Sequence, residues 1–441
     1  MESMSEKVEH EEAPRLKVLM LSWEYPPKNV GGLARHVWHL SRMLSRKGVE
    51  VHVVTVGDDS LKRYQVDCGV SVHRATPYRL NPPEFVPWVL QLNVGLLERA
   101  IEVMDSGTDV EIIHCHDWLA AFAARALKHA YRLPLVATIH ATEHGRHQGI
   151  HNGWQRYIGD VEWWLTYESW RVICCSEYMR GEIRSLFQAP GDKMAVIRNG
   201  VDTAEFSALS AGRKREEFAH RSEQIVFFVG RLVPEKGVQV LLDAVPEVRK
   251  VKPLTRFVVA GTGPSEPWLK AKAAQMGVSE YVRFTGYIDD ALRNSLYSWA
   301  DAAVFPSTYE PFGLVALEGM AAGCPVVVSD CGGLSETVEH GADGLKCRPG
   351  DAGSLASEIL HILCDPAYGS YLKANARKKV ASQYTWAGVA EETMGVYRDV
   401  LSEYRRSDWG SERSYGQSYG WPGIPLLKGM QFLDRGRYTR A

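Results

Sequence analysis

Apolar residues fall in short unbroken runs, separated by longer stretches where they recur every three or four positions, and the two patterns alternate through most of the chain. Residues 16–21 form the first run. They predict a strand buried on both faces, because sheets with helices on each side carry near-continuous apolar sequence. Pro26-Pro27, Gly31-Gly32, an amphipathic helix over 33–47 and a strand over 51–56 follow. This is a βαβ unit with glycines in its first turn. Runs at 112–114, 135–139 and 171–174 predict further strands, so the first half reads as an open α/β domain.

Asn199-Gly200-Val201-Asp202 is a turn signal, and polar residues follow it until apolar strands resume at Ile225. Runs over 225–229, 256–260, 282–284, 302–305 and 325–328, separated by helical patterns, predict a second parallel sheet covered on both faces. Trp386, Val389, Ala390, Tyr397, Val400, Leu401 and Tyr404 share one face of a final helix, which needs a surface to pack on. The expected division is a disordered start over 1–14, a doubly wound domain over 15–200 and a linker over 201–222. A second such domain over 223–385, a helix over 386–405 and a flexible tail over 406–441 complete it.

Of the 441 residues 45% are hydrophobic and 24% charged, enough apolar material for two cores. A formal net charge of −2 gives no general attraction for a polyanion, and no nucleic-acid-binding motif occurs. Acid-rich residues 1–14 lack the features of a secretory signal, and no apolar run is long enough to predict an integral membrane segment. Segment 88–104 is apolar, but Arg99 is its single cation, which favours burial over a membrane surface. Eight cysteines lack Cys-x-x-Cys spacing, so free buried thiols in a reducing cytoplasm are expected.

Doubly wound sheets bind ligands beyond the carboxyl ends of their strands. Gly230-Arg231 ends one such strand and Lys236 stands just before the next helix. A guanidinium fork and an ammonium there suit a departing diphosphate, though plain surface charges would give the same pattern. Phe305 closes another strand, Pro311 sits in a loop and a helix begins near Gly313, so the amides of Gly313, Leu314 and Val315 should face the cleft as anion donors. Glu310 is placed to accept bonds from sugar hydroxyls, and Glu318, one turn past Leu314, from a ribose. A dipole-favoured acid and a solvated helix face are the plainer alternatives. Against the second, Glu318 lies among Leu317, Met320 and Ala321, where an unpaired carboxylate is expensive.

Tyr309 to Glu318, Ala321-Ala322-Gly323-Cys324-Pro325-Val326-Val327 and Gly332-Gly333-Leu334-Ser335-Glu336 together resemble the signature of glycosyltransferase family four. Gly230-Arg231 with Lys236, Gly261-Thr262-Gly263-Pro264 and Trp23-Glu24-Tyr25-Pro26-Pro27 with Gly31-Gly32 fall in the family's order, over roughly residues 16–404. His116-Asp117-Trp118 and the spacing are most similar to glycogen or starch synthases. The resemblance implies an α/β GT-B fold, two Rossmann-like domains facing across a cleft, with the first taking the acceptor, the second the nucleotide sugar, and the last helix crossing back. It implies transfer with retention. It assigns Arg231 and Lys236 to the donor phosphates, Gly31 and Gly32 to a turn that lets amides approach them, Glu310 to the sugar and Glu318 to the ribose, with Gly230, Gly263 and Phe312 in the donor motifs. His140 matches the histidine that the family places beside the transferred sugar. Its ring can bond a hydroxyl and its carbonyl can face the charge developing at the anomeric carbon, whereas a satisfied core histidine is the plainer reading.

His140, His144, His147 and His151 have helical spacing, but Gly145, Gly149 and Gly153 interrupt it, so an acceptor-side loop is expected rather than a metal site. No Asp-x-Asp occurs, and no metal or cofactor is expected. His116, Asp117, His144, Arg146 and Trp154 are acceptor-side candidates, while Trp163, Trp164 and Trp170 read as packing. The expected activity is glucosyl transfer from ADP-glucose or UDP-glucose to a glucan or other glycan, with an α-1,4-linkage. A lipid-linked or small-molecule acceptor, a nucleotide-sugar epimerase and a non-catalytic glucan-binding protein are the alternatives.

Overall fold

The computed structural model describes residues 15–28, 31–78, 84–207 and 213–411. The start over 1–14, part of the linker and the tail from 412 onward lie outside these residues. The first sheet contains β1 (Lys17–Leu21), β2 (Glu50–Val56), β3 (Tyr64–Asp67), β4 (Val70–Ala75), β5 (Ile112–His116), β6 (Leu135–Ile139), β7 (Arg171–Cys174) and β8 (Met194–Val196). Its order is β3-β4-β2-β1-β5-β6-β7-β8, parallel throughout except for the β3–β4 pair. The second sheet contains β9 (Gln224–Val229), β10 (Thr255–Ala260), β11 (Val282–Gly286), β12 (Ala302–Phe305), β13 (Val326–Ser329) and β14 (Leu345–Cys347), all parallel, in the order β11-β10-β9-β12-β13-β14.

Both sheets are doubly wound. Residues 18–21 of β1 and 225–228 of β9 are buried, as strands covered by helices on both faces must be. The winding reverses between β1 and β5 in the first sheet and between β9 and β12 in the second, which opens a crevice at each carboxyl edge. Everything identified as chemistry in the sequence follows one of these four strands or a neighbour.

The helix Trp386–Arg406 buries Trp386, Val389, Ala390, Tyr397 and Val400 in the same core as Val18, Met20 and Val37 of the first domain. Tyr397 Oη lies 2.7 Å from His114 Nδ1 on β5, and Tyr404 donates to the Arg132 carbonyl at 2.8 Å. The chain therefore ends its second domain by returning to its first.

Two sequence expectations change here, and the linker gains detail. The helix over 88–104 spans Phe85–Asp105 and is buried along one face only, leaving Phe85, Leu90, Val94 and Ile101 exposed. The linker is anchored: Phe206 and Phe218 are buried, beside Tyr297 and Trp299. Cys68 and Cys364 are exposed, unlike the five buried thiols and the half-buried Cys331. No helix among the described residues is long and apolar enough to cross a membrane.

Candidate active site

The wall contributed by the second domain is made by loops packed so closely that side chains would not fit. At Gly261, φ is 127° and an added Cβ would lie 1.9 Å from the Gly230 carbonyl oxygen, while one at Gly263 would lie 2.3 Å from that of Leu232. These contacts hold the loop after β10 against Gly230 and Arg231. Arg231 is half exposed, 3.7 Å from Glu235 and beyond hydrogen-bonding range of it. Lys236 ends the turn Pro234–Lys236, and its Nζ lies 2.7 Å from Glu310 Oε2, an oxygen to which Ser307 also donates at 3.4 Å. Glu310 is buried, so this ammonium balances a charge that would otherwise be costly there.

Gly313, with φ 98°, turns the chain into the helix Leu314–Ala322; an added Cβ would lie 2.4 Å from Leu334 Cδ2. The first hydrogen bond of that helix runs from the Ala316 N–H to the Gly313 carbonyl at 3.0 Å, so the amides of Gly313, Leu314 and Val315 lie ahead of it. One turn along, Glu318 is buried and paired: Oε1 is 3.4 Å from Arg35 Nη1 and 3.8 Å from Arg293 Nη1. Arg35, which also bonds Asp290, belongs to the first domain. Pairing explains the buried carboxylate without any ligand, a partner that the sequence could not supply.

Across the cleft, an added Cβ on Gly32 would lie 3.1 Å from Leu314 Cδ1, so the helix Gly32–Arg46 begins against the start of Leu314–Ala322. Of the two neighbouring amides expected to face phosphates, that of Gly31 donates to Glu24 Oε2 at 3.2 Å. His140 follows β6; its N–H donates to Asp117 Oδ1 at 2.7 Å, and its Nε2 is 3.3 Å from His116 Nδ1. His36, on the Gly32 helix, stands edge-on to it at 4.7 Å between ring centres, held by Asn199 Oδ1 at 2.7 Å from Nδ1. Burial holds His140 and His36 down to about 3 and pushes His116 the same way, so all three rings are neutral near pH 7. Burial pushes Asp117 up to about 6 against the pull of Arg146, 3.7 Å away.

Candidate nitrogens of His36, His116 and His140 lie within 4.8 Å of one another, the arrangement among the described residues that could surround an ion. Of the evenly spaced histidines only His140 takes part. His144 is exposed, and His151 Nε2 lies 2.8 Å from the His147 carbonyl. His36 escaped the sequence reading; its signal was its position one turn after Gly32.

The remaining candidates differ in burial. His116 and Asp117, expected on the acceptor side, are buried and in contact with His140. Phe312 is buried, with its ring 6.3 Å from that of Tyr384. Trp163, expected in the core, is exposed and stacked on Tyr167 at 5.8 Å, whereas Trp164 packs on Phe122 and Trp170 on Tyr404. Trp154 and His144 are exposed, and Arg146 is half-buried between Asp117 and Glu143.

Residues 30–205 match the family model "Glycosyltransferase Family 4" and residues 212–379 match "Glycosyl transferases group 1". An uncharacterized glycosyltransferase of Methanocaldococcus jannaschii is 38% identical over 392 residues, covering 88% of this chain and 99% of its own. The glycogen synthase of Mycobacterium tuberculosis is 39% identical over 396 residues, 87% of this chain and 94% of that one. Among solved structures, sucrose-phosphate synthase from Thermosynechococcus elongatus superimposes with a TM-score of 0.78 at 25% identity, over 88% of this chain and 100% of its own.

Proposed function

Because the chain belongs to glycosyltransferase family four and has its two-domain GT-B fold, we propose that it transfers glucose from ADP-glucose or UDP-glucose to a glucan, with retention, forming an α-1,4-linkage without a metal ion. The observation that carries this reading is the Lys236–Glu310 pair beside the start of the helix Leu314–Ala322, facing Gly32. It supplies a cation for the leaving group and a carboxylate for the sugar, in contact and ready to separate. The similarity to a glycogen synthase supports a glucan acceptor.

On binding, Lys236 moves from Glu310 to the diphosphate, joined there by Arg231 and the amides of Leu314 and Val315. Glu310 is released to accept sugar hydroxyls, and Glu318 exchanges Arg35 for the ribose. Asp117, bonded to the His140 N–H, fixes the segment whose carbonyl faces the anomeric carbon. The bond from that carbon to the phosphate oxygen breaks while one to the acceptor oxygen forms on the same face. The leaving phosphate takes the acceptor's proton in place of an enzymic base, and because attack and departure share one face no covalent glycosyl-enzyme is formed.

Labelled ADP-glucose and UDP-glucose offered with glycogen or maltooligosaccharides, in excess chelator, test the reading. Label is expected in the glucan with one nucleoside diphosphate released per glucose. Lys236→Ala should lower turnover roughly 10²–10³-fold, the scale for losing a preorganised charge at a leaving group. Incorporation from neither donor defeats the glucan assignment, consumption of donor without release of diphosphate indicates an epimerase, and activity restored by magnesium overturns the metal-free clause.

A further inference from the structure

Tyr309 precedes Glu310 on a loop of the second domain, yet its side chain is buried against the first. An added Cβ on Gly145 would lie 2.2 Å from the ring, so the absent side chain is the slot that the phenol fills. At its far end the hydroxyl donates to Glu182 Oε1 at 2.9 Å and accepts the Thr142 N–H at 3.3 Å. Thr142 Oγ1 donates to that carboxylate oxygen at 2.6 Å, and Tyr178 Oη to the other at 2.9 Å. A buried hydroxyl costs more to desolvate than an apolar ring would, and its two oxygen and nitrogen partners offset that cost here, with Met179 Sδ also 3.7 Å away. Both partners belong to the opposite domain, so the bonds exist only when the domains are in contact.

The chain positions give these bonds a consequence. Tyr309 is one residue before Glu310, and Thr142 is two residues after His140. Parallel bonds run alongside: Ser176 Oγ donates to the Pro311 carbonyl at 2.7 Å, and Glu336 accepts the N–H groups of Glu177 and Tyr178 at 3.0 and 2.7 Å. We propose that Tyr309 is a positioning residue, a strut whose hydroxyl sets the spacing between the His140 and Glu310 arms and makes transfer depend on contact between the domains. The proposal rests on the reading of Glu310 and His140 as sugar-facing groups. Diphosphate binding should depend less on the strut than transfer does, since both cations read as gripping it, Arg231 and Lys236, lie on the second domain.

Steady-state kinetics with the donor, together with calorimetric binding of ADP and UDP, test this on the full chain. Tyr309→Phe keeps the ring and should lower kcat roughly tenfold while leaving the diphosphate Kd within about twofold, since the lost bond is to a charged group and touches no ligand. Gly145→Ala, which displaces the ring, should lower kcat further. Tyr309→Phe combined with Glu182→Gln should lower kcat by less than the product of the two single effects, because the groups share one bond while each keeps others, to the Thr142 N–H and to Thr142 Oγ1 and Tyr178 Oη. Glu310→Ala separates the possibilities. If it abolishes transfer while Tyr309→Phe and Gly145→Ala keep wild-type kcat, the strut is overturned and the sugar reading stands. If Glu310→Ala itself keeps wild-type kcat, the sugar reading has failed and the strut with it. A parallel loss of kcat and diphosphate affinity in Tyr309→Phe marks a merely structural residue and also overturns the proposal.

Discussion

Glu162 is buried in the first domain, where both carboxylate oxygens accept the Glu143 N–H, at 2.9 and 3.0 Å. Burial pushes its carboxyl up to about 8, against the opposing pull of Arg146. Between roughly pH 4.5 and 8 the folded chain therefore holds a proton that the unfolded chain has released. This group's contribution to stability falls as pH rises through that window. Glu162→Gln removes the dependence and keeps an acceptor for the amide, so its urea midpoint relative to wild type should rise steadily from pH 5 to 8.5; a constant difference would contradict the shift. Legibility at this scale followed chain distance. The loop position of Glu310 and the turn at Gly313 were legible from neighbours within a few positions, whereas the contacts of Tyr309 are with partners 127 and 167 residues away.

At the scale of elements, the parallel strands were legible because double-sided burial leaves continuous apolar runs, as in β1 and β9. The β3–β4 hairpin was not. β3 is an exposed edge strand of mixed polarity, and the pair turns through Cys68-Gly69 with both residues at positive φ, a turn made without the usual Asn-Gly or Asp-Gly signal. Glycines likewise look alike in sequence and differ in the fold. Gly31, the N-cap of the helix Gly32–Arg46, has extended backbone with no atom within 4 Å of an added Cβ, so Gly31→Ala should cost no more than about 1 kcal/mol, the loss of a preferred cap residue. Gly261→Ala puts a side chain at φ 127° into the Gly230 carbonyl and should cost about 1–3 kcal/mol or more, read as a lower urea midpoint. Equal effects of the two substitutions would show that the loop after β10 is not tightly seated on Gly230.

Over the whole molecule, the returning helix joins the end of the second domain to the core of the first. His114 is buried on β5 with Nδ1 2.7 Å from Tyr397 Oη and Nε2 2.8 Å from Thr138 Oγ1. Tyr397→Phe keeps the ring but strands the first nitrogen, and should lower stability by about 1–3 kcal/mol in urea unfolding; no change would mean that water replaces the phenol. The sequence by itself determined the two doubly wound sheets, the family, and the loops that carry Arg231, Lys236, Glu310 and Glu318, because apolar runs, glycines and turn residues act over a few positions. Only the tertiary structure decided which groups meet across the cleft: Arg35 with Glu318, Gly32 with Leu314, and Tyr309 with Glu182 in the space left by Gly145. Contacts between chain segments more than a hundred residues apart leave no periodicity in the sequence. They are fixed when two separately formed surfaces are brought face to face.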